Sequence, residues 1–168
     1  MNKLSKEAVE EARTTLPHQP AIETMRYGCY IVTCRSENKI NGLTVAWATQ
    51  VSMNPSLLTI AVGKSGYSHE LLTEGDHFVL HVLAEDQVDL AKNFGYLSGR
   101  DKDKFEGVEW KTGYKDLPIL EGCKAVIGCR KVNEVSAGDH TIFIGEAEFS
   151  EVDDSKIAQV LDPKVYFP

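Results

Sequence analysis

No stretch of this chain approaches the roughly 20 consecutive apolar residues that a membrane-crossing helix needs. Nor do its basic residues gather into the patch that displaces phosphate counterions from a nucleic acid. The net charge is −7, with the densest acidic stretches at Glu7 to Glu11 and Glu146 to Asp154, so neither a membrane nor nucleic acid is an expected partner. Several site signatures are also missing. There is no G-x-x-x-x-G-K-[ST] phosphate loop, no G-x-G-x-x-G dinucleotide turn, no H-E-x-x-H zinc helix and no G-x-S-x-G nucleophile elbow, which removes the usual support for nucleotide-triphosphatase and hydrolase chemistry. Cysteine is sparse, and Cys29, Cys34, Cys123 and Cys129 form neither a C-x-x-C pair nor a zinc-finger spacing. No metal site is expected. The start MNKLSKEAVEEA lacks an apolar run of signal-peptide length, so the expectation is a cytoplasmic protein with buried, reduced thiols.

What is present suits one globular domain spanning residues 1–168. Hydrophobic residues make up 42% of the chain and charged ones 26%, enough apolar material for a core and too little net charge for disorder. SKEAVEEARTTL predicts a leading helix from Ser5 to Leu16, stopped by Pro17. YGCYIVTCR, a turn at SENKING, and LTVAWATQVS predict a hairpin; Asn54-Pro55 marks a turn, and SLLTIAVGK predicts a third strand. GYSHELLTEG reads as a short helix ended by Gly75. HFVLHVLA alternates as a strand does, with His77 and His81 on one face as satisfied strand histidines.

EDQVDLAKNFG predicts a second short helix, and the charged stretch from Ser98 to Pro118 predicts a long surface excursion. CKAVIGCRKVNEV and HTIFIGEAEFSEV read as strands about a turn at Ser136 to Asp139, and DDSKIAQVL as a final capped helix. Strands with hairpin-length links and few intervening helices favour a mainly β, antiparallel barrel with short accessory helices over a doubly wound parallel sheet.

The segment NGLTVAWATQVSMNPSLLTIAVGKSGYSHELL, Asn41 to Leu72, closely resembles the signature of the flavin-reductase-like family of FMN-binding split barrels. Similar stretches follow in family order: HFVLHVLAEDQVDLAKNFG, SGRDKDKFEGVEW, LPILEGCKAVIGC and AGDHTIFIGE. Where many members carry two consecutive prolines after the serine of the flavin strand, this chain has Ser52-Met53-Asn54-Pro55-Ser56.

The resemblance implies a split β-barrel that binds FMN, takes electrons from NADH or NADPH, and works as a homodimer closed over the flavin. An FMN site needs hydrogen-bonding groups for the ring edge, an apolar slab for its faces and donors for the phosphate. The resemblance implies that the strand Thr44, Val45, Ala46, Trp47, Ala48, Thr49, Val51 and Ser52 supplies the first two. Small residues at Ala46 and Ala48 would let a flat ring approach the backbone, though the same residues would equally suit tight barrel packing.

Lys64, Ser65, Tyr67 and Ser68, in a turn entering a helix, are implied to hold the phosphate together with the Thr44 hydroxyl; an ordinary exposed turn is the alternative. His69 either joins that site or only starts the helix. In Gly138-Asp139-His140, His140 is the implied catalytic or nicotinamide-contacting residue, with the buttressing of a Gly-Asp turn as the alternative. Two activities share this pocket: an NAD(P)H:flavin oxidoreductase, and an electron carrier serving a redox protein partner with little direct NAD(P)H activity. A flavin-free member binding another ligand is a third reading.

Overall fold

The computed structural model describes residues 22–161, so the helix expected at Ser5 to Leu16 lies outside the described residues. The strands are β1 (Tyr30–Ser36), β2 (Lys39–Val45), β3 (Ala48–Met53), β4 (Ser56–Gly63), β5 (His77–Val82), β6 (Trp110–Thr112), β7 (Pro118–Leu120), β8 (Ala125–Ala137) and β9 (His140–Val152). Two helices, α1 (Tyr67–Glu74) and α2 (Val88–Tyr96), precede and follow β5.

Seven strands form one antiparallel sheet in the order β2-β1-β5-β8-β9-β4-β3, and β6 and β7 form a separate pair. The edge strands β2 and β3 are consecutive in sequence, joined only by Ala46 and Trp47. Three extended residues span at most roughly 10 Å, whereas the edges of a flat seven-stranded sheet lie about 29 Å apart. The sheet must therefore curl until its edges nearly meet, which makes it a barrel split between β2 and β3.

The expected strand LTVAWATQVS is thus two strands at opposite edges. The break falls at Ala46-Trp47, where the Ala48 amide turns back onto the Ala46 carbonyl (3.2 Å) and the Ala61 amide donates to Trp47 O (2.9 Å). Lys39 to Gly42, expected within a turn, belong to β2; the turn itself is confined to Glu37 and Asn38.

Two apolar clusters flank the sheet. Inside the barrel, Val32, Cys34, Ile60, Val62, Phe78, Leu80 and Phe143 pack with Leu71 and Leu72 of α1. On the other face, Ile31, Val79 and Leu83 meet Phe94 of α2, Phe105, Leu117 and Leu120. β1 and β5 are therefore buried on both faces and read as nearly continuous apolar runs. Gly75 ends α1 as expected, its amide returning to Leu71 O at 2.8 Å.

Two further expectations are corrected. The stretch from Ser98 to Pro118 is not wholly a surface excursion: Lys104 is buried with its Nζ donating to Gly42 O (2.8 Å) and Phe94 O (2.9 Å), and Phe105 enters the core. DDSKIAQVL is not a helix. Asp153 Oδ1 accepts from both the Ser155 amide and hydroxyl, forming a turn, and the chain then bridges Ala84, just after β5, through Ala158 and Gly28, just before β1, through Val160. Gln159 N donates to Leu83 O (2.7 Å) and Cys29 N to Gln159 O (3.1 Å), so tertiary backbone pairing displaces the local helical preference.

The four cysteines are buried and none is in a disulfide. Burial pushes the thiols of Cys34, Cys123 and Cys129 up to about 12, which keeps them protonated and unreactive. Among the described residues no helix is long and apolar enough to cross a membrane.

Candidate functional site

Residues directly opposite in an antiparallel pair share a face, so the register fixes what the outside of the split presents. Ile60 pairs with Ala48 and Phe143 toward the barrel interior; Thr59 pairs with Thr49 and Ile144, Ala61 with Ile142, and Gly63 with His140, all facing outward. The outer strip of β4 is therefore Thr59, Ala61 and Gly63, small side chains flanked by Trp47 and Thr49 on one side and by His140 and Ile142 on the other. Nothing lies closer to a Cβ built on Gly63 than His140 Nε2 at 3.8 Å, so the strip is open at its Gly63 end. The indole and imidazole at its edges are themselves in contact, ring centroids 4.8 Å apart, so a planar ring would lie against this pair rather than between them.

β3 pairs with β4 alone, so its other edge leaves backbone donors and acceptors unpaired. The register slips between Gln50 and Ser52, placing a bulge at Val51. Beside this edge, Ala48, Thr49 and Gln50 line an apolar hollow of about 310 Å³ with Tyr30, Leu58 and Leu80.

At the end of the strip, the Gly63–Gly66 turn leads into α1. Its first-turn N–H groups have no helical acceptors and concentrate positive potential there. Ser65 is exposed, and Lys64 Nζ donates to Ser136 Oγ (2.7 Å) and Gly138 O (2.6 Å) while its amide donates to Asp139 O (3.0 Å). Lys64 thus ties this turn to the β8–β9 turn, so the anion-suited end and the histidine end are one rigid unit.

His140 lies against Trp47, ring centroids 4.8 Å apart, and its Nδ1 is 2.7 Å from Asp139 Oδ1. The hydrogen bond from His140 holds the Asp139 carboxyl below the usual carboxylate range. A carboxylate can only accept, so the shared proton sits on Nδ1 and Nε2 is left facing the strip.

Trp47, Thr49, Lys64, Ser65 and His140 thus come together around the strip; Ala48 faces the barrel interior opposite Ile60, Tyr67 packs on the interior cluster with the Arg100 guanidinium over its ring, and Val51 and Ser52 lie farther along β3. Ala46 lies in the crossing between the two edges. Three other candidates are placed differently. Val45 is in the barrel core. Thr44 Oγ1 donates to Ala91 O (2.6 Å), fastening β2 to α2. Ser68 is 4% exposed, its Oγ accepting from Asn41 Nδ2 (2.9 Å), which leaves only its backbone N–H for the turn. His69 faces inward, 2.7 Å from the Thr141 hydroxyl.

Sequence reasoning missed Thr59, Ala61 and Gly63. The signal was the alternation of small residues with Leu58, Ile60 and Val62, legible as a bare face only once β4 has neighbours on both sides. Among the described residues no group of three or more His, Cys, Asp or Glu side chains could hold a metal.

Residues 22–167 match the family model described as the flavin reductase like domain. The chain is 31% identical over 158 residues to the reductase component of an FADH2-dependent resorcinol hydroxylase from a Rhizobium species, covering 92% of this chain and 84% of the relative. It is 34% identical over 127 residues to a high molecular weight rubredoxin of Moorella thermoacetica, covering 74% of this chain but only 56% of that longer protein. Among solved structures, NADH:FAD oxidoreductase SgcE6 of Streptomyces globisporus superposes with a TM-score of 0.77 at 26% identity, covering 96% of this chain and 86% of the other.

Proposed function

The chain belongs to the flavin reductase like family, and on that premise we propose that it is an NAD(P)H-dependent flavin oxidoreductase holding FMN along β3 and the turn into α1. The observation that carries this reading is the small-residue strip Thr59-Ala61-Gly63, open at Gly63, with an anion-suited helix entry at that end and a carboxylate-oriented histidine beside it. The exposed edge of β3 offers backbone hydrogen bonds to a ring edge, and Trp47 offers an apolar face. Ser65, Lys64 and the first-turn amides of α1 would hold the phosphate. Bound there, FMN would accept a hydride from the nicotinamide and pass electrons onward. His140, its ring fixed by Asp139, presents Nε2 to a ligand lying over the strip, and its role is to orient the nicotinamide.

The similarity to a monooxygenase reductase component supports delivery of reduced flavin to a partner enzyme. The similarity to a high molecular weight rubredoxin favours a second reading, in which the flavin stays bound and serves a redox protein. An absorbance spectrum followed by anaerobic addition of NADH or NADPH separates them. Rapid bleaching is the expected result; a yellow protein inert to both nucleotides supports the carrier, and a colourless protein that takes up no added FMN defeats both.

We further propose that the chain acts as one domain and as a homodimer. Val135 (48% exposed), Ile142 and Ile144 extend the outward face beyond the strip, an apolar continuation suited to a second copy. Four buried cysteines without a disulfide favour a reducing, cytoplasmic setting.

A further inference from the structure

Resting on the flavin reading above, we propose that the hollow beside the 99–103 loop is a subsite for the adenylate half of a dinucleotide, either FAD or NAD(P)H. It is an open surface hollow of about 450 Å³ lined by Ile40, Arg100, Asp101, Lys102, Phe105 and Trp110, a volume within the range of small-molecule sites; Asp103 also lines it, its carboxylate engaged by the Phe105 amide (2.9 Å).

The loop that walls it is docked on the candidate phosphate turn. The Arg100 guanidinium lies 5.4 Å from the Tyr67 ring centroid and is ion-paired with Glu70, both in the first turn of α1. Behind it, Gly99 packs so tightly on Asn41 that a Cβ would sit 2.3 Å from Asn41 Oδ1, and Asn41 in turn holds Ser68. The hollow thus begins one side chain away from the place assigned to the flavin phosphate, in reach of a second phosphate and what it carries.

Its chemistry matches a nucleoside phosphate. Phe94, Phe105 and Trp110 form a row of rings with centroids 5.3 Å apart at each step, and the row ends in an indole that is 37% exposed in the hollow. An indole packed against Phe105 and partly exposed in a hollow is a platform on which a base can stack. Lys102 Nζ has no hydrogen-bond or ion-pair partner among the described residues and is available to a phosphate, and the Asp101 carboxylate can accept from ribose hydroxyls or an exocyclic amine. FMN has no group that would occupy this place.

The test titrates AMP, FMN and FAD by calorimetry into the full chain and into Trp110→Ala and Lys102→Glu. Initial rates with NADH and with reduced nicotinamide mononucleotide complete it. AMP should bind the parent and weaken by roughly 10-fold in both variants, as loss of a base-stacking platform implies, while FMN affinity is unchanged. If FAD supplies the adenylate, FAD affinity falls in parallel. If NAD(P)H supplies it, KM for NADH rises and KM for the mononucleotide does not. Lys102 is on the exposed loop, so Lys102→Glu keeps the test valid should Trp110→Ala misfold. AMP binding equally to parent and variants, or not at all at millimolar concentration, overturns the proposal, as does equal weakening of FMN and FAD. A parent that binds neither flavin defeats the flavin reading instead, and the AMP titration still decides the subsite.

Discussion

His140 and His81 show how environment divides one side chain between two tasks. His140 is partly exposed on the strip, with Asp139 fixing its Nδ1 and Nε2 unengaged. If it orients the nicotinamide, His140→Ala should slow anaerobic reduction of fully flavin-loaded protein by roughly 10- to 100-fold, about 1.4 to 2.7 kcal/mol, with flavin affinity retained. Stopped-flow reduction is the measurement, and a mutant reduced at the parental rate would leave His140 only a buttressing role. His81 is fully buried, with Nδ1 donating to Ile31 O and Nε2 accepting from the Leu120 amide, both at 3.1 Å. Burial pushes its pKa down to about 4 from an ordinary 6.5. The unfolded chain therefore binds the proton first as pH falls, so the stability owed to the neutral ring is complete above about 6.5 and is lost progressively toward 4. The full loss is on the order of 3 kcal/mol. Urea unfolding at pH 7.5 and 5 should show a decline that is reduced in His81→Gln, and an identical decline in the variant would refute this source.

At the scale of elements, local signals succeeded where an element is held by its own sequence and failed where a distant partner decides. α1, α2, β5 and the β8–β9 hairpin follow their periodicity and turn residues. LTVAWATQVS has uniform β propensity, and nothing within it announces that Val45 must face one strand and Ala48 another across the split. DDSKIAQVL carries a good helix cap, but its backbone groups find acceptors and donors on Leu83, Cys29, Glu85 and Tyr27. Lys104 looks like one more charge in a polar run. Its burial becomes intelligible only when the Phe94 carbonyl at the end of α2 and the Gly42 carbonyl of β2 converge to receive its ammonium.

For the whole molecule, the β3-β4-β9 pairing is what builds the site: it sets Trp47 beside Ala61 and its ring 4.8 Å from His140, while closure of the sheet lets β2 run directly into β3 across the split. The outward face of β8 and β9 is covered by Tyr114 near Gly128 and Phe149 but is partly exposed toward the hairpin end, at Val135, Ile142 and Ile144. A second copy seated there predicts a stable dimer by sedimentation, and Val135→Glu should shift the population toward monomer and weaken flavin retention together. A flavin-loaded monomer would contradict the dimer.

The sequence by itself determined the family, the antiparallel strand content and the two turns, Lys64 to Ser68 and Gly138-Asp139, that bound the site, because these depend on turn chemistry and side-chain alternation within short segments. Only the tertiary structure decided which of the named residues meet. It removed the Thr44 hydroxyl to α2 and the Ser68 hydroxyl to Asn41, and it added the bare face of β4. The physical reason is register: which side of a strand faces the core is set by its neighbours in the sheet, and for a strand at the split those neighbours lie far away in the chain.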